Sequence, residues 1–375
     1  MKEYRAIVVG GNHYNTLGLV RSLGEAGYMP SVLLVGDNLN LSKCFVSKSR
    51  YIAKIKGSSI SDILESILEL GNENYVYVVF PAGDKYANTI DSLRDKFPDN
   101  FILHNIDNKA GNIQYFGDKE NLRLRAERFG FNTPKTWIVE RNNINKATFS
   151  YPCIIKALHS DILGKDFGIY QNEIDLNKRL CDLFQKTDKI QVQSFIPKER
   201  EIIFLGWSIG DDVQIPCLME KIREYPQKFG CTGLGKFSPE TSKYFPIENL
   251  KNLIRSYNYT GLFSVEFILS KNDVYFLEIN FRNDGNGYFP GFGGVNLPAT
   301  FISRLKDGIG DKIDLRIDRS YQMMREFTDF DYMRHSDYSF IQWINDIFKT
   351  QVFQYWNRKD PKPFWYILKR KVCKR

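Results

Sequence analysis

Cysteine and histidine are scarce in this 375-residue chain, and neither is grouped for chemistry. The six cysteines (44, 153, 181, 217, 231 and 373) contain no C-x-x-C pair. That excludes a thiolate zinc site or a disulfide framework, and it fits a reducing compartment. The four histidines are too far apart in sequence to suggest a histidine metal site. No run approaches the roughly 18 apolar residues of a membrane span. The opening Met1-Lys2-Glu3-Tyr4-Arg5 lacks the pattern of a secretory signal, so a cytoplasmic protein is expected. The body also lacks excess charge. The net charge is +8, but residues 351–375 carry eight Lys/Arg against the single acid Asp360. A near-neutral body with a basic tail argues against nucleic acid as a partner. There is no internal repeat and no low-complexity segment.

What is present reads as two or three domains. Apolar strands over Arg5–Val9, Ser31–Val35 and Tyr75–Phe80 alternate with helical patterns, one of which runs through Ile60–Leu70. This predicts an open parallel α/β sheet over residues 1–112. Gly10-Gly11 follows the first strand without G-x-G-x-x-G, so a tight turn is expected there and not a dinucleotide site. Asp118 is placed to N-cap a helix over Lys119–Phe129, closed by Gly130. Further strands are predicted near Pro152–Ala157, Ile190–Phe195, Glu201–Trp207 and Val213–Met219, with a helix near Glu173–Gln185. The remaining expected boundaries are 113–190, 191–318 and a C-terminal extension over 319–375.

A hairpin is predicted from Leu262–Leu269 and Val274–Asn280. Side chains alternate across a strand, so Glu278 and Asn280 share a face. With a three-residue turn at Lys271-Asn272-Asp273, Glu266 lies opposite Glu278 and Ser264 opposite Asn280. Facing carboxylates about 5 Å apart repel, and a divalent cation removes the repulsion. Hard oxygen donors of this kind suit magnesium. The alternative is a solvated polar face.

Two lysines bear on that choice. Lys156 sits in Tyr151-Pro152-Cys153-Ile154-Ile155-Lys156-Ala157, a strand apolar on both faces, so its ammonium needs an anion, either phosphate or an internal carboxylate. Lys119 starts a helix, where backbone N–H groups favour anions; a surface lysine is the other reading.

Taken in order, Lys119, Lys156, the strand near 191–196, Glu266, Glu278 and Asn280 resemble the ATP-grasp superfamily over about residues 1–310. The resemblance implies an N-terminal α/β domain, a two-subdomain ATP-grasp fold with an antiparallel sheet, and use of ATP with magnesium or manganese. It assigns Lys119 and Lys156 to the nucleotide phosphates, the backbone of Gln193-Ser194-Phe195-Ile196 to adenine, and Glu201 to ribose. Glu266, Glu278 and Asn280 become metal ligands, and Arg282 holds the transferred phosphoryl or the acyl phosphate. Two departures stand out. The loop 159–165 is poor in glycine where many relatives have a glycine-rich flap, leaving Lys165 to supply a contact, and Ser194 stands where an acid is common.

The implied chemistry activates a carboxylate as an acyl phosphate, which an amine attacks. Arg223 resembles a substrate-side arginine, with a salt bridge to a neighbour such as Glu220 as the alternative. The glycine-rich run Asn283–Asn296 is expected to form a loop, either beside the site or purely structural. Residues 278–298 look most like ligases related to D-aspartate ligase and to cell-surface or capsule biosynthesis. Two competing readings remain. One is a catalytically silent ATP-binding module. The other is a serine hydrolase through Gly206-Trp207-Ser208-Ile209-Gly210, which needs a strand before Ser208 and a helix after it. In the tail, Phe353, Tyr355, Trp356, Phe364, Trp365 and Tyr366 interleave with basic residues. That suits peripheral contact with an anionic membrane through residues 352–375, or aromatics packed on the body.

Overall fold

The computed structural model describes residues 2–141, 148–156, 168–227, 230–271, 273–308 and 314–372, apart from the side chain of Lys156. They fall into two units. One holds Met1–Gln114, Ile202–Val265 and Ile279–Arg375; the other holds Tyr115–Glu201 and Glu266–Glu278.

In the larger unit, alternation along β1 (Glu3–Gly10) sets the layers. Ala6 and Val8 enter one core with Leu17, Val20 and Leu23 of α1 (Tyr14–Glu25), whereas Ile7 and Val9 enter another with Ile63, Ile67 and Leu70 of α2 (Ile63–Leu70). An uninterrupted apolar strand suits a sheet covered on both faces. With β2 (Ser31–Val35), β3 (Lys54–Ser58), β4 (Tyr75–Pro81) and β5 (Phe101–Ile102), it forms a parallel sheet of order β3-β2-β1-β4-β5. The strand order reverses between β1 and β4, where α1 and α3 (Asp84–Ser92) begin. In open parallel sheets the crevice at such a switch point, outside the carboxyl ends of the strands, is where ligands bind.

A second sheet has the order β15-β14-β11-β12-β13-β16-β17, with β6 (Asn105–Ile106) added on β14. Its strands are β11 (Arg200–Ile209), β12 (Asp212–Tyr225), β13 (Cys231–Ser238), β14 (Tyr259–Ser270), β15 (Asp273–Asn280), β16 (Tyr321–Met324) and β17 (Val352–Phe353). Gly206 is required in β11 because a Cβ there would lie 2.1 Å from the Gln214 carbonyl oxygen. The rings of Phe237 and Tyr321 stack at 5.2 Å and pin β13 to β16. Helices α7 (Ile247–Arg255), α8 (Leu297–Asp307), α9 (Glu326–Arg334), α10 (Phe340–Lys349) and α11 (Lys362–Val372) complete the unit.

Residues from 319 onward are therefore not a simple appendage, since they supply β16 and, in parallel to it, β17. The tail also anchors a buried cation. Arg21 of α1 is fully buried; its Nε donates to Asp360 Oδ2 at 3.0 Å, and its other nitrogens donate to the carbonyls of Gln354, Tyr355 and Asp360. Asp360 also accepts from Ser49 Oγ and the Arg50 N–H. Phe364 stacks on Phe327 at 5.8 Å. Much of the tail thus packs on the body. Deleting residues 352–375 should strand the Arg21 guanidinium, a loss of several kcal/mol. We expect no cooperative thermal transition in that truncation; a transition near that of the full chain would contradict the assignment.

The smaller unit is a four-stranded sheet of order β7-β10-β8-β9: β7 (Thr136–Glu140), β8 (Cys153–Lys156), β9 (Ile169–Tyr170) and β10 (Lys189–Ser194). The expected boundary at 190/191 would cut β10, which pairs with both β7 and β8. After the short α4 (Asn112–Phe116), α5 (Lys119–Arg128) starts as expected, with Asp118 accepting from the N–H groups of Glu120 and Asn121 at 3.0 and 3.2 Å. Gly130 takes a left-handed φ of +80° just beyond its end. Helix α6 (Glu173–Leu183) packs Leu176, Leu180 and Leu183 on this sheet.

Candidate functional site

The segment that follows β15 meets the carboxyl ends of β1 and β4. Asn15, in the first turn of α1, donates through Nδ2 to the carbonyls of Ala82 (3.2 Å) and Asn283 (2.9 Å), and Asn283 Nδ2 returns a bond to Asn15 Oδ1. Arg282 reaches across to Asp84, the first residue of α3, through a two-pronged ion pair at 2.8 and 3.1 Å. Its Nη2 also donates to Asn280 Oδ1 at 3.1 Å. Asn280 Nδ2 in turn donates to Ser264 Oγ at 3.2 Å, and Ser264 to Asp284 Oδ2 at 3.2 Å. Asp284 Oδ1 accepts both the backbone and side-chain N–H of Asn286, at 2.8 Å each. The run Asn283–Gly287 is thus a loop built on side-chain hydrogen bonds at the switch point.

A second guanidinium sits behind that loop. Arg325, only 1% exposed, donates from Nη1 to the Thr232 carbonyl (2.8 Å) and from Nη2 to the Gly285 carbonyl (3.3 Å) and Asn286 Oδ1 (3.1 Å). Its guanidinium carbon lies 3.7 Å from the centroid of the Tyr14 ring. Burial pushes the Tyr14 phenol up to about 12, although the Arg325 charge pulls the other way. Arg325 Nε is buried without a hydrogen-bond partner. Sequence reasoning missed Arg325, Asp84 and Asp284 as partners in one network. A signal was available for Asp84, which follows a strand end in Pro81-Ala82-Gly83-Asp84, and for Asp284, which falls in the singled-out glycine-rich run.

The expected metal ligands lie on the predicted strands. Ser264 and Asn280, which the expected register sets opposite each other, are in hydrogen-bond contact. Asp273, expected in the turn, already belongs to β15, and Lys271 lies in the left-handed region at φ +53°. Glu266 and Glu278 are half-buried and belong to the smaller unit, whereas Asn280 belongs to the larger. Among the described residues, no group of three or more His, Cys, Asp or Glu side chains gathers as a metal site. A set of two carboxylates and one amide is not of that kind.

In the smaller unit, Lys119 opens α5 and is half-buried. Lys156 ends β8 opposite Gln191. Its side chain, like Lys165 and the loop 159–165, lies outside the described residues. Gln193 is buried and donates to Thr136 Oγ1 at 3.0 Å. The N–H of Ser194 donates to the Lys135 carbonyl and that of Phe195 to the Pro152 carbonyl, at 2.8 and 2.9 Å. Phe195 and Ile196 continue past the end of β10. Glu201 is buried and accepts from Lys198 Nζ at 2.9 Å.

One expectation changes and one competing reading falls. Arg223 is 7% exposed and faces the protein interior, with Nε and Nη2 on the two oxygens of Asp329 (2.8 and 2.7 Å) and Nη1 on Asp346 (2.5 Å). A register shift in β12 on either side of Arg223 turns the side chain inward. The fork a substrate carboxylate would need is occupied, so the ion-pair reading holds, with Asp329 and Asp346 in place of Glu220. Ser208 is buried in β11, donates to the Gly210 carbonyl at 3.0 Å, and is followed by a turn into β12. With a strand where the elbow needs a helix, the hydrolase reading fails.

No family model matches the chain. It is 25% identical over 178 residues, 46% of its length, to the carbamoyl phosphate synthase large chain of Thermoplasma volcanium. The chain spans about a fifth or less of the length of the curated relatives it matches. Among solved structures it resembles N5-carboxyaminoimidazole synthetase from Staphylococcus aureus, with TM-score 0.66, 16% identity, and coverage of 89% of this chain and 86% of the other. It also resembles L-amino acid ligase from Bacillus licheniformis, with TM-score 0.60, 14% identity, and 86% and 80% coverage. At such identities the likeness speaks for architecture, and the chain has the ATP-grasp fold.

Proposed function

We propose that the protein is an ATP- and magnesium-dependent ligase joining a carboxylate to an amine. The observation that supports this most is the Asn280–Arg282 pair beside the carboxyl ends of β1 and β4. The substrate carboxylate oxygen attacks the γ-phosphorus and ADP leaves. The amine then attacks the acyl carbon, phosphate leaves, and the amine gives up a proton. Positioning and charge neutralisation do most of the work in such transfers.

Lys119, Lys156 and Lys165 are assigned to the nucleotide phosphates. Two N–H groups of the 193–196 segment are committed within the fold, so adenine reading falls to Ile196 and the carbonyls, and ribose to Glu201. Glu266, Glu278 and Asn280 would hold magnesium, which would supply positive charge to offset that of the phosphates. The Asn280 amide oxygen has two lone pairs, so it can serve a cation while accepting from Arg282. In the Arg282–Asp84 ion pair the aspartate is half exposed and the arginine 15% exposed. Arg282 would exchange Asp84 for the transferred phosphoryl, while Arg325 holds the loop carbonyl of Gly285 in place. Residues 278–298 support an acceptor from cell-surface biosynthesis.

The reading is tested by supplying amino acids in pairs as carboxylate and amine and measuring ADP and phosphate. We expect release only when both partners are present. ATP binding without release under any pairing would mark a silent nucleotide-binding module instead.

A further inference from the structure

Helix α10 carries large apolar side chains on the side facing away from the body, with Asn345 between them. Its inner face is fixed by Trp343, which donates from Nε1 to Asp329 at 3.0 Å and meets the Phe330 ring, and by Asp346, which accepts from Arg223. Half a turn round the helix stand Ile341 (73% exposed) and Phe348 (84% exposed), flanked by Phe340. A surface helix normally puts polar residues there, and clustered exposed apolar side chains mark an interaction face.

Helix α11 packs on the same α9 through Phe364 and Phe327. It exposes Trp365 and Val372 among Lys362, Lys369, Arg370 and Lys371. Arg370 bonds the Lys43 carbonyl, and Lys48 lies over the Tyr366 ring, so two more lysines join the patch. The nearby acids are already engaged: Asp360 by Arg21, Glu326 by the N–H groups of Tyr355 and Trp356, Asp346 by Arg223, and Asp331 beside Lys371. Asp331 offsets Lys371 at 3.8 Å, but α11 itself holds four basic residues and no acid, so it keeps a net positive charge. Both α10 and α11 pack on α9, through Phe330 and Phe327.

We propose that α10 and α11 form a docking face for an anionic lipid bilayer, with the basic residues on the headgroups and Ile341, Phe348 and Trp365 entering the interface. Lysine and arginine near an anionic surface attract it, and buried apolar side chains hold the helix there. A second copy of the chain fits less well, because a two-fold interface would set this charge against itself.

The test is co-sedimentation of the full chain with phosphatidylcholine vesicles, with and without phosphatidylglycerol. Binding should require phosphatidylglycerol and fall with salt. Lys362→Ala with Lys369→Ala should weaken it about 25-fold, near fivefold for each charge. Ile341→Ser with Phe348→Ser should weaken it about tenfold or more, with thermal unfolding unchanged in both variants. Absence of binding at low salt, or binding indifferent to both pairs, would overturn the proposal. So would a concentration-dependent dimer that the Ile341/Phe348 variant abolishes.

Discussion

Glu278→Gln should lower ADP release by roughly 10²–10³-fold, the loss typical of removing one preorganised electrostatic contact to developing charge. The substitution keeps the volume and the β15 backbone, and Glu278 is half-buried at a strand position, so thermal unfolding should stay near the parent's. Its effect should depend on the cation: raising magnesium should recover part of the rate if the carboxylate is a ligand. A rate unchanged by the substitution would remove the metal role of Glu278. A lost rate with an equally lost unfolding transition would show a structural role instead. Asn280→Ala is the companion, because it deletes the amide shared by Ser264 and Arg282; there, both rate and stability should fall.

Among single substitutions, the largest expected loss of stability belongs to Asp329→Asn. Asp329 is fully buried and takes both prongs of Arg223 as well as the Trp343 indole N–H. A Cβ at Gly233 would lie 2.8 Å from Asp329 Oδ1, so β13 leaves no slack for the carboxylate to be replaced by a larger group. Removing one charge of a buried pair typically costs about 3–5 kcal/mol, because the other charge stays buried. At 2–4 °C per kcal/mol, the melting temperature should drop by roughly 10 °C. Replacing the pair together, as Arg223→Met with Asp329→Leu, should recover much of that. A single variant melting like the parent would show that Asp346 carries the pairing alone. Acid should loosen the same joint. Burial resists ionisation of Asp346, but hydrogen bonds from Tyr338 and Arg223 outweigh it and hold its carboxyl below the usual range. Its stabilisation is then present above the ordinary carboxylate pKa and fades as pH falls through the lowered value.

Elements with strong local signals were legible in the sequence. The apolar run Ala6–Val9 closed by Gly10-Gly11 and the 3–4 spacing of Ile63, Ile67 and Leu70 depend on neighbours within one turn or strand, so local pattern alone placed them. The Asp118 cap was equally local. So were the two strands that carry Glu266 and Glu278, found at Tyr259–Ser270 and Asp273–Asn280. What escaped notice depends on distant partners. Arg223 is 106 residues from Asp329, and a register shift that aims a side chain inward leaves no periodic trace. Residues 321–324 and 352–353 read as extension because two- to four-residue strands at a sheet edge are too short to show a period. Arg325 was overlooked because its partners are mostly backbone carbonyls, which every sequence supplies.

The Arg21–Asp360 contact also orders events during synthesis. Arg21 leaves the ribosome early, in the first helix, yet its partners follow 333–339 residues later. At roughly 5–20 residues per second, the wait is on the order of tens of seconds. Until then the first helix carries an unsatisfied cation on the face it must bury, so the N-terminal sheet cannot close its core ahead of the rest. Residues 354–360 are what release the first helix into its final state. A chain stalled before residue 354 would therefore keep that helix open and accessible to chaperones and proteases.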